Sequence, residues 1–321
     1  ETQTARGRCA LLPTPWVSSR VCRHEQYVQH SFVTMNQPID PEAEKLKQRG
    51  NDLYAKGKFS AAIEAYTEAR LQAPKWEVPL VNRALCHRKR SDWKAVEDDC
   101  LCALEIDSEL PKAHYMLGLA RLEESAYPEA VKSLTKALEL ARDRGTTMLD
   151  EIWRELARAK FAMWRQCDAV KRSGREKLLA SAKDMARANA ARQVQEAQAR
   201  HCSEAEIEAI KLELDRVVSS LEETFREAAS NDVPGEIPDW CVCKLTMEPF
   251  RDPVVTPAGF TYERSALFEH FSKLGHFDPV MRTKVDPNLC VSNLSLRSAT
   301  QAYLDSHGWA WGECASQVLA Q

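Results

Sequence analysis

KLKQRGNDLYAKGKFSAAIEAYTEARLQ, residues 45–72, decides the fold, because its pattern of small and large residues returns twice more at a spacing of 34. Gly50 is answered by Ala84 and Gly118, and Ala62 by Val96 and Ala130. Tyr66 is answered by Cys100 and Leu134, and Ala69 by Ala103 and Ala137. Small residues at fixed positions mark where two helices touch closely, and the larger apolar residues recur beside them. A helical pair of this size cannot bury its apolar face alone, so the copies must stack. Pro74 closes the first unit and Pro111 opens the third, as expected where helices stop and start. Such a stack makes a concave groove, and peptide binding is the first expectation.

These units resemble tetratricopeptide repeats, and they span about residues 41–144 of a chain of 321. The remaining length leaves room for one or two further domains. The net charge of −3 is the small difference between 44 basic and 47 acidic residues, so no global field draws in nucleic acid or anionic membrane. Lys and Arg are interspersed with Glu and Asp, which argues against a nucleic-acid interface. No apolar run approaches the roughly 18 residues a membrane span needs. The eleven cysteines lack metal-ligand spacing: Cys100/Cys102 and Cys241/Cys243 are C-x-C pairs, not C-x-x-C knuckles. Cys86, Cys100 and Cys102 fall on helical repeat positions, where a reduced cysteine acts as a small hydrophobe. A reducing compartment fits, and the expected site is the cytoplasm, with the nucleus also open. Residues 1–40 read as an unstructured leader, with Arg6, Arg8, Arg20 and Arg23 against Glu1 and Glu25 in its first 34 positions. It is either an organellar transit peptide or leader sequence upstream of a start at Met35, and the second reading is preferred.

No proline lies between Pro128 and Pro234, and the intervening residues are strong helix formers. Residues 145–232 are therefore expected to be a helical hairpin or coiled coil, with joints at Gly145 and Gly174. Ser203-Glu204-Ala205-Glu206 is a capping box that starts a fresh helix. The heptad run Ile207, Ile210, Leu214, Val217 and Leu221 predicts a homodimer. A hairpin packing on its own chain is the alternative. At residues 231–235 the texture turns to NDVPG, and a compact α+β domain follows over 233–312, with a tail at 313–321. Val254–Thr256 and Phe260–Tyr262 around Pro257-Ala258-Gly259 read as a β-hairpin, followed by helices over about 264–274 and 296–306.

Within the repeats, Lys47 and Asn51 share one helix face, Asn82 falls on the first helix of the second unit and Lys112 on that of the third. Two ammonium groups and two carboxamides facing one groove suit carboxylates, since charge-assisted hydrogen bonds are the strong ones. The strings KLKQRGN (45–51), NRAL (82–85) and KAHYMLG (112–118) resemble the dicarboxylate clamp of chaperone-binding tetratricopeptide domains. The resemblance implies that these four residues hold the C-terminal carboxylate and last aspartate of a Glu-Glu-Val-Asp chaperone tail. Many clamps carry arginine where this chain has Met116. Met116, with Tyr54 and Tyr115 nearby, is expected to pack on aliphatic side chains of the peptide.

The strings CKLTMEPFRDPVVTPAGFTYERSALFEH (243–270) and GHFDPVMRTKV (275–285) resemble the U-box, a RING-like fold held without metal. Together with the repeats in front and helices between, the order resembles that of co-chaperone ubiquitin ligases. The resemblance implies a mainly α chain with a three-repeat α-solenoid, a central hairpin and a C-terminal U-box. It implies neither cofactor nor metal. It further implies a ligase that forms no covalent intermediate and acts by positioning, docking a ubiquitin-conjugating enzyme on Leu245, Met247, Phe277 and Pro279 while Arg282 bridges that enzyme and ubiquitin. Apolar residues in a small domain usually serve the core, which is the alternative for Leu245 and Met247. His270 reads as a hydrogen-bonding core residue more readily than as a base. Expected partners are heat-shock seventy and ninety tails, the charged conjugating enzyme, ubiquitin and misfolded clients bound for the proteasome. A non-catalytic adaptor that keeps the clamp is the alternative function.

Overall fold

The computed structural model describes residues 39–230 and 234–315; the leader expected at 1–40 therefore lies almost wholly outside the described residues. Six helices form three antiparallel pairs: α1 (Pro41–Ala55) with α2 (Phe59–Gln72), α3 (Val78–Lys89) with α4 (Trp93–Ile106), and α5 (Pro111–Glu123) with α6 (Tyr127–Asp143). Asp40 caps α1 by accepting from the Glu42 N–H at 2.9 Å, with Pro41 at the first helical position.

The repeat of 34 has a direct steric cause. A Cβ placed on Gly50 would lie 2.5 Å from the Tyr66 ring, and one on Gly118 would lie 2.5 Å from Leu134 Cγ. In the middle unit both partners change together: Ala84 takes the small position and Cys100 the large one, and both are fully buried. The core runs on from Leu80 and Val96 through Leu134 to Ile152, Trp153 and Leu156.

Those last residues belong to α7 (Leu149–Ala199), a continuous helix of 51 residues. Gly174 does not break it, contrary to the expected joint. One interior glycine costs about 1 kcal/mol, and the surrounding Ala, Lys, Arg and Glu offset that. The joint at Gly145 is present, with φ +61. At the other end His201 turns the chain with φ +55, and the Ser203 capping box forms: the Ser203 N–H donates to Glu206 Oε2 at 2.8 Å and the Glu206 N–H to Ser203 Oγ at 3.4 Å. Helix α8 (Glu204–Ser230) then folds back on α7. Its half-buried positions are Ile207, Ile210, Leu214, Val218, Leu221, Phe225 and Ala229, so Val218 takes the place expected of Val217, which is 40% exposed. No residue of α8 is fully buried.

The C-terminal domain carries a small sheet of order β2-β1-β3. Strands β1 (Pro253–Val255) and β2 (Thr261–Glu263) pair antiparallel with Val254 opposite Tyr262, and Gly259 turns between them at φ +85. β3 (Val291–Ser292) pairs with the other edge of β1. Helices α9 (Arg264–Leu274) and α10 (Leu294–Ser306) flank the sheet, over a core of Cys243, Phe250, Val254, Tyr262, Leu267, Phe271 and Val285. The fold passes the expected boundary at 312, while 316–321 of the expected tail lie outside the described residues: after a 3-10 turn at Gly308–Ala310, α11 (Trp311–Ala315) buries Trp311, Cys314 and Ala315. These residues find apolar partners on α7 and are no tail.

Candidate functional site

Two surfaces gather the residues singled out in the sequence. The first is the concave face of the repeats. Asn51 on α1 accepts hydrogen bonds from the Tyr66 hydroxyl at 2.8 Å and from Asn82 Nδ2 on α3 at 3.2 Å, so the two carboxamides expected in the clamp are tied together across the first two units. Lys47, one turn before Asn51, is half-buried, paired with Glu44, and 5.4 Å from the centre of the Trp76 ring. Lys112 at the start of α5 is half-buried, and no hydrogen bond or carboxylate partner is found for it among the described residues. Burial pulls its ammonium below the usual lysine range.

The apolar part of the expected groove differs. Met116 is 0% exposed and belongs to the repeat core, so it cannot touch a peptide. Tyr115 is 2% exposed, with its hydroxyl donating to Glu151 Oε1 on α7 at 2.7 Å. Arg88 lies 5.9 Å from the centre of that ring. Helix α5 is packed on nearly every side, with residues 115–120 all buried, and this leaves little of it for a ligand. Tyr54 remains half-buried, edge-on to Phe59. Trp76, Glu44 and Glu151 are neighbours of the clamp that the sequence reading missed. Glu44 sits one turn before Lys47 on α1, a pairing that the i,i+3 spacing could have shown, whereas Trp76 and Glu151 reach the clamp from other elements and no spacing rule links them to the lysines.

The second surface is built from two loops of the C-terminal domain, residues 243–248 and 277–284. Leu245 and Met247 are both exposed, Met247 at 76%, which excludes the core role considered for them. The first loop is pinned from inside by Cys243, whose Sγ accepts from the Glu263 N–H at 3.1 Å and the Leu245 N–H at 3.4 Å. Asp278 organises the second loop. It is 0% exposed and accepts from Thr256 Oγ1 at 2.8 Å and from Tyr262 Oη and the Val280 and Met281 N–H groups, each at 2.9 Å. Burial pushes this carboxyl up, but the hydrogen bonds from Met281, Thr256, Tyr262 and Val280 outweigh burial and hold it below its ordinary value.

This arrangement turns Pro279, Val280, Met281 and Arg282 outward around a buried charge, with Arg282 at φ +57. The Arg282 guanidinium has no carboxylate partner among the described residues. Phe277 packs on His270 with ring centres 4.9 Å apart, and His270 Nε2 lies 3.1 Å from the Phe277 carbonyl oxygen. His270 is thus a structural support, as expected. Val280 and Met281 extend the apolar surface and were missed, since adjacent apolar residues in a short loop look like core. Among the described residues, no group of three or more His, Cys, Asp or Glu is placed to hold a metal ion. The interior positions are filled by polar groups: the buried Glu263 carboxylate accepts from the Arg251 and Asp252 N–H groups at 2.9 and 3.1 Å. Arg264 pairs with Asp252 at 2.5 Å.

Residues 237–309 match the U-box domain. Over 271 residues the chain is 43% identical to the E3 ubiquitin-protein ligase CHIP of Arabidopsis thaliana, taking in 84% of this chain and 95% of that relative. The chain belongs to the CHIP family. It is also similar to the heat-shock protein cognate co-chaperone sgt12 of Aspergillus fumigatus, 33% identical over 106 residues, or 33% of this chain and 31% of the other. Among solved structures it is similar to the Sgt2 TPR domain from Aspergillus fumigatus, with 30% identity, coverage of 41% of this chain and 83% of that one, and a TM-score of 0.36. Membership of CHIP makes the chain a ubiquitin-protein ligase of the U-box type, and the adaptor alternative falls away.

Proposed function

We propose that this ligase takes its substrates through the acidic C-terminal tails of heat-shock seventy and ninety chaperones, held in the repeat groove, and passes ubiquitin to the client from a conjugating enzyme docked on the two U-box loops. The observation that carries the groove reading is Lys112, a half-buried ammonium with no carboxylate of its own. A buried unpaired charge is expensive, and a peptide carboxylate relieves that cost where another exposed lysine gains little. Lys47, on the neighbouring wall, completes the pair of cations around the Asn51–Asn82 bridge.

In the docking loops, Leu245, Met247, Pro279 and the edge of Phe277 receive the apolar side of the conjugating enzyme, joined by Val280 and Met281. Arg282 stabilises the arrangement of enzyme and ubiquitin in which the thioester is attacked. A homodimer forms through the outer face of the hairpin, where Leu178, Met185, Leu212 and Val217 are exposed. The inner seam of Leu214 and Leu221 serves the hairpin itself. The protein works in the cytoplasm.

Calorimetry with a peptide ending in Glu-Glu-Val-Asp tests the groove. Lys112→Ala and Lys47→Ala should each weaken binding by roughly 10–150-fold, the worth of one charge-assisted hydrogen bond, and amidating the peptide's C-terminus should cost a comparable factor. Equal affinity in all four combinations overturns the assignment.

A further inference from the structure

The first turns of α7 carry a stripe that extends the repeat core toward the C-terminal domain. Asp150, Trp153, Ala157, Lys160 and Trp164 follow one another at steps of three and four, so they share one helix face, and Phe161 flanks it. The ligase domain meets this face. The Arg251 guanidinium lies 4.6 Å from the centre of the Trp153 ring and 3.6 Å from Asp150. Trp311, 1% exposed, packs on Trp153 with ring centres 5.7 Å apart. Lys160 pairs with Asp305 and lies 4.4 Å from the centre of the Trp311 ring. Leu304, Ala310, Trp311 and Cys314 share one continuous apolar core with the repeats.

Two glycines make the approach possible. A Cβ on Gly308 would fall 2.6 Å from Trp164 Cδ1, and one on Gly312 would fall 2.8 Å from Phe161 Cε2. Neither has a positive φ, so what these positions require is space and not backbone freedom. Glu151, next to Asp150 on the same turn, bonds Tyr115 of the repeats. One turn of α7 is therefore held by the groove wall on one side and by the ligase domain on the other.

We propose that residues 308–315 are a clasp that fixes the ligase domain on α7, with Trp311, Gly308 and Gly312 as positioning residues, and that the clasp determines which lysines of a groove-bound protein are reached. The proposal rests on the groove reading above. Transfer without a covalent intermediate works by placement. A domain clasped to the helix that walls the groove presents its docking loops at one distance and angle. Once unclasped, it keeps only the outlying contacts of Arg251 and Asp305 with α7, and its loops sweep a larger volume.

The test uses full-length protein with Gly308→Leu and Gly312→Leu combined, and with Gly308→Ala alone as a milder wedge. Trp164→Ala paired with Gly308→Ala gives the methyl room and should restore the clasp. Amide hydrogen exchange over residues 150–164 reads the clasp without any reference to peptide binding. It should quicken roughly tenfold or more in the wedge variants and return toward wild type in the paired one. Discharge of a preloaded conjugating enzyme onto free lysine should stay within about twofold of wild type, because the docking loops are untouched. On a lysine-bearing protein with a Glu-Glu-Val-Asp tail, mapped by mass spectrometry, wild type should favour a narrow set of lysines and the wedge variants a broad one. Unchanged exchange overturns the clasp, and quickened exchange with an unchanged lysine map overturns its positioning role. Failure of wild type to bind the tail would instead count against the groove reading, and the exchange result stands apart from it.

Discussion

The groove and the docking loops are built by opposite means. In the repeats the apolar residues go inward, glycine against tyrosine and glycine against leucine, and cations are left facing the groove without enough carboxylates to match them. In the ligase domain a carboxylate goes inward, Asp278 with four donors around it, and apolar side chains are left facing water. Each surface exposes what its neighbourhood cannot satisfy. An unmatched ammonium selects for anions, and an unmatched apolar loop selects for another protein's apolar patch. On the proposed assignment the two recognition events use different chemistry, and each should break without the other.

The sharpest break is Asp278→Ala. It orphans two hydroxyls and two backbone N–H groups inside a small domain, a loss of roughly 3 kcal/mol or more. The ligase domain should unfold at a lower denaturant concentration and transfer should cease, while tail-peptide affinity is retained. Retained activity with normal stability would show that the loop does not depend on its buried carboxylate. Arg282→Ala is the next largest. It should slow discharge roughly ten- to a thousandfold at saturating conjugating enzyme, the range for losing a preorganised electrostatic contact, with folding unchanged. Pro279→Ala should instead raise the concentration of conjugating enzyme needed.

A smaller effect follows from pH. The folded-state pKa of Asp278 lies below that of the unfolded chain, so its stabilisation is present above about pH 4 and is lost as pH falls through the folded value. Glu263 has the opposite sign, since burial raises its pKa despite the hydrogen bonds from Arg251 and Asp252. Asp278→Asn should therefore flatten the acid side of the stability curve, read by thermal unfolding between about pH 3 and 7. An acid limb as steep as wild type's would contradict the assignment. The smallest expected effect is none: chelator treatment should leave folding and discharge unchanged, because hydrogen bonds to Cys243, Glu263 and Asp278 hold the interior. Bound zinc whose removal unfolds the domain would refute this.

The same contrast governs what the sequence discloses. The repeats are legible because packing writes itself as residue size at a fixed period, and Gly50, Ala84 and Gly118 carry that signal without any structure. The hairpin turn is legible at Ser203 for a similarly local reason. Gly174 misleads because helix propensity is summed over many residues, and one glycine does not outvote its neighbours. The loops at 243–248 and 277–284 are legible only by resemblance, and their cause is hidden in the sequence. Asp278, between Phe277 and Pro279, reads as a loop aspartate, since nothing local says that Thr256 and Tyr262 converge on it. Met116 reads as a groove residue and is 0% exposed, because its position on α5 says nothing of the helices packed around it. The clasp at 308–315 reads in the sequence as the end of one domain and a tail, because its partners Trp153, Phe161 and Trp164 lie far back in the chain on α7.

The central claim, that two chemically opposite surfaces must act together, is tested most directly by one transfer assay. It measures ubiquitin transfer to a lysine-bearing protein with a Glu-Glu-Val-Asp tail, at substrate concentrations well below the wild-type Kd, for wild type, Lys112→Ala and Arg282→Ala. Lys112→Ala should lose roughly tenfold or more on the tailed substrate yet discharge onto free lysine normally, and Arg282→Ala should bind the tail normally and fail in both reactions. Lys112→Ala that modifies the tailed substrate as fast as wild type would contradict the account.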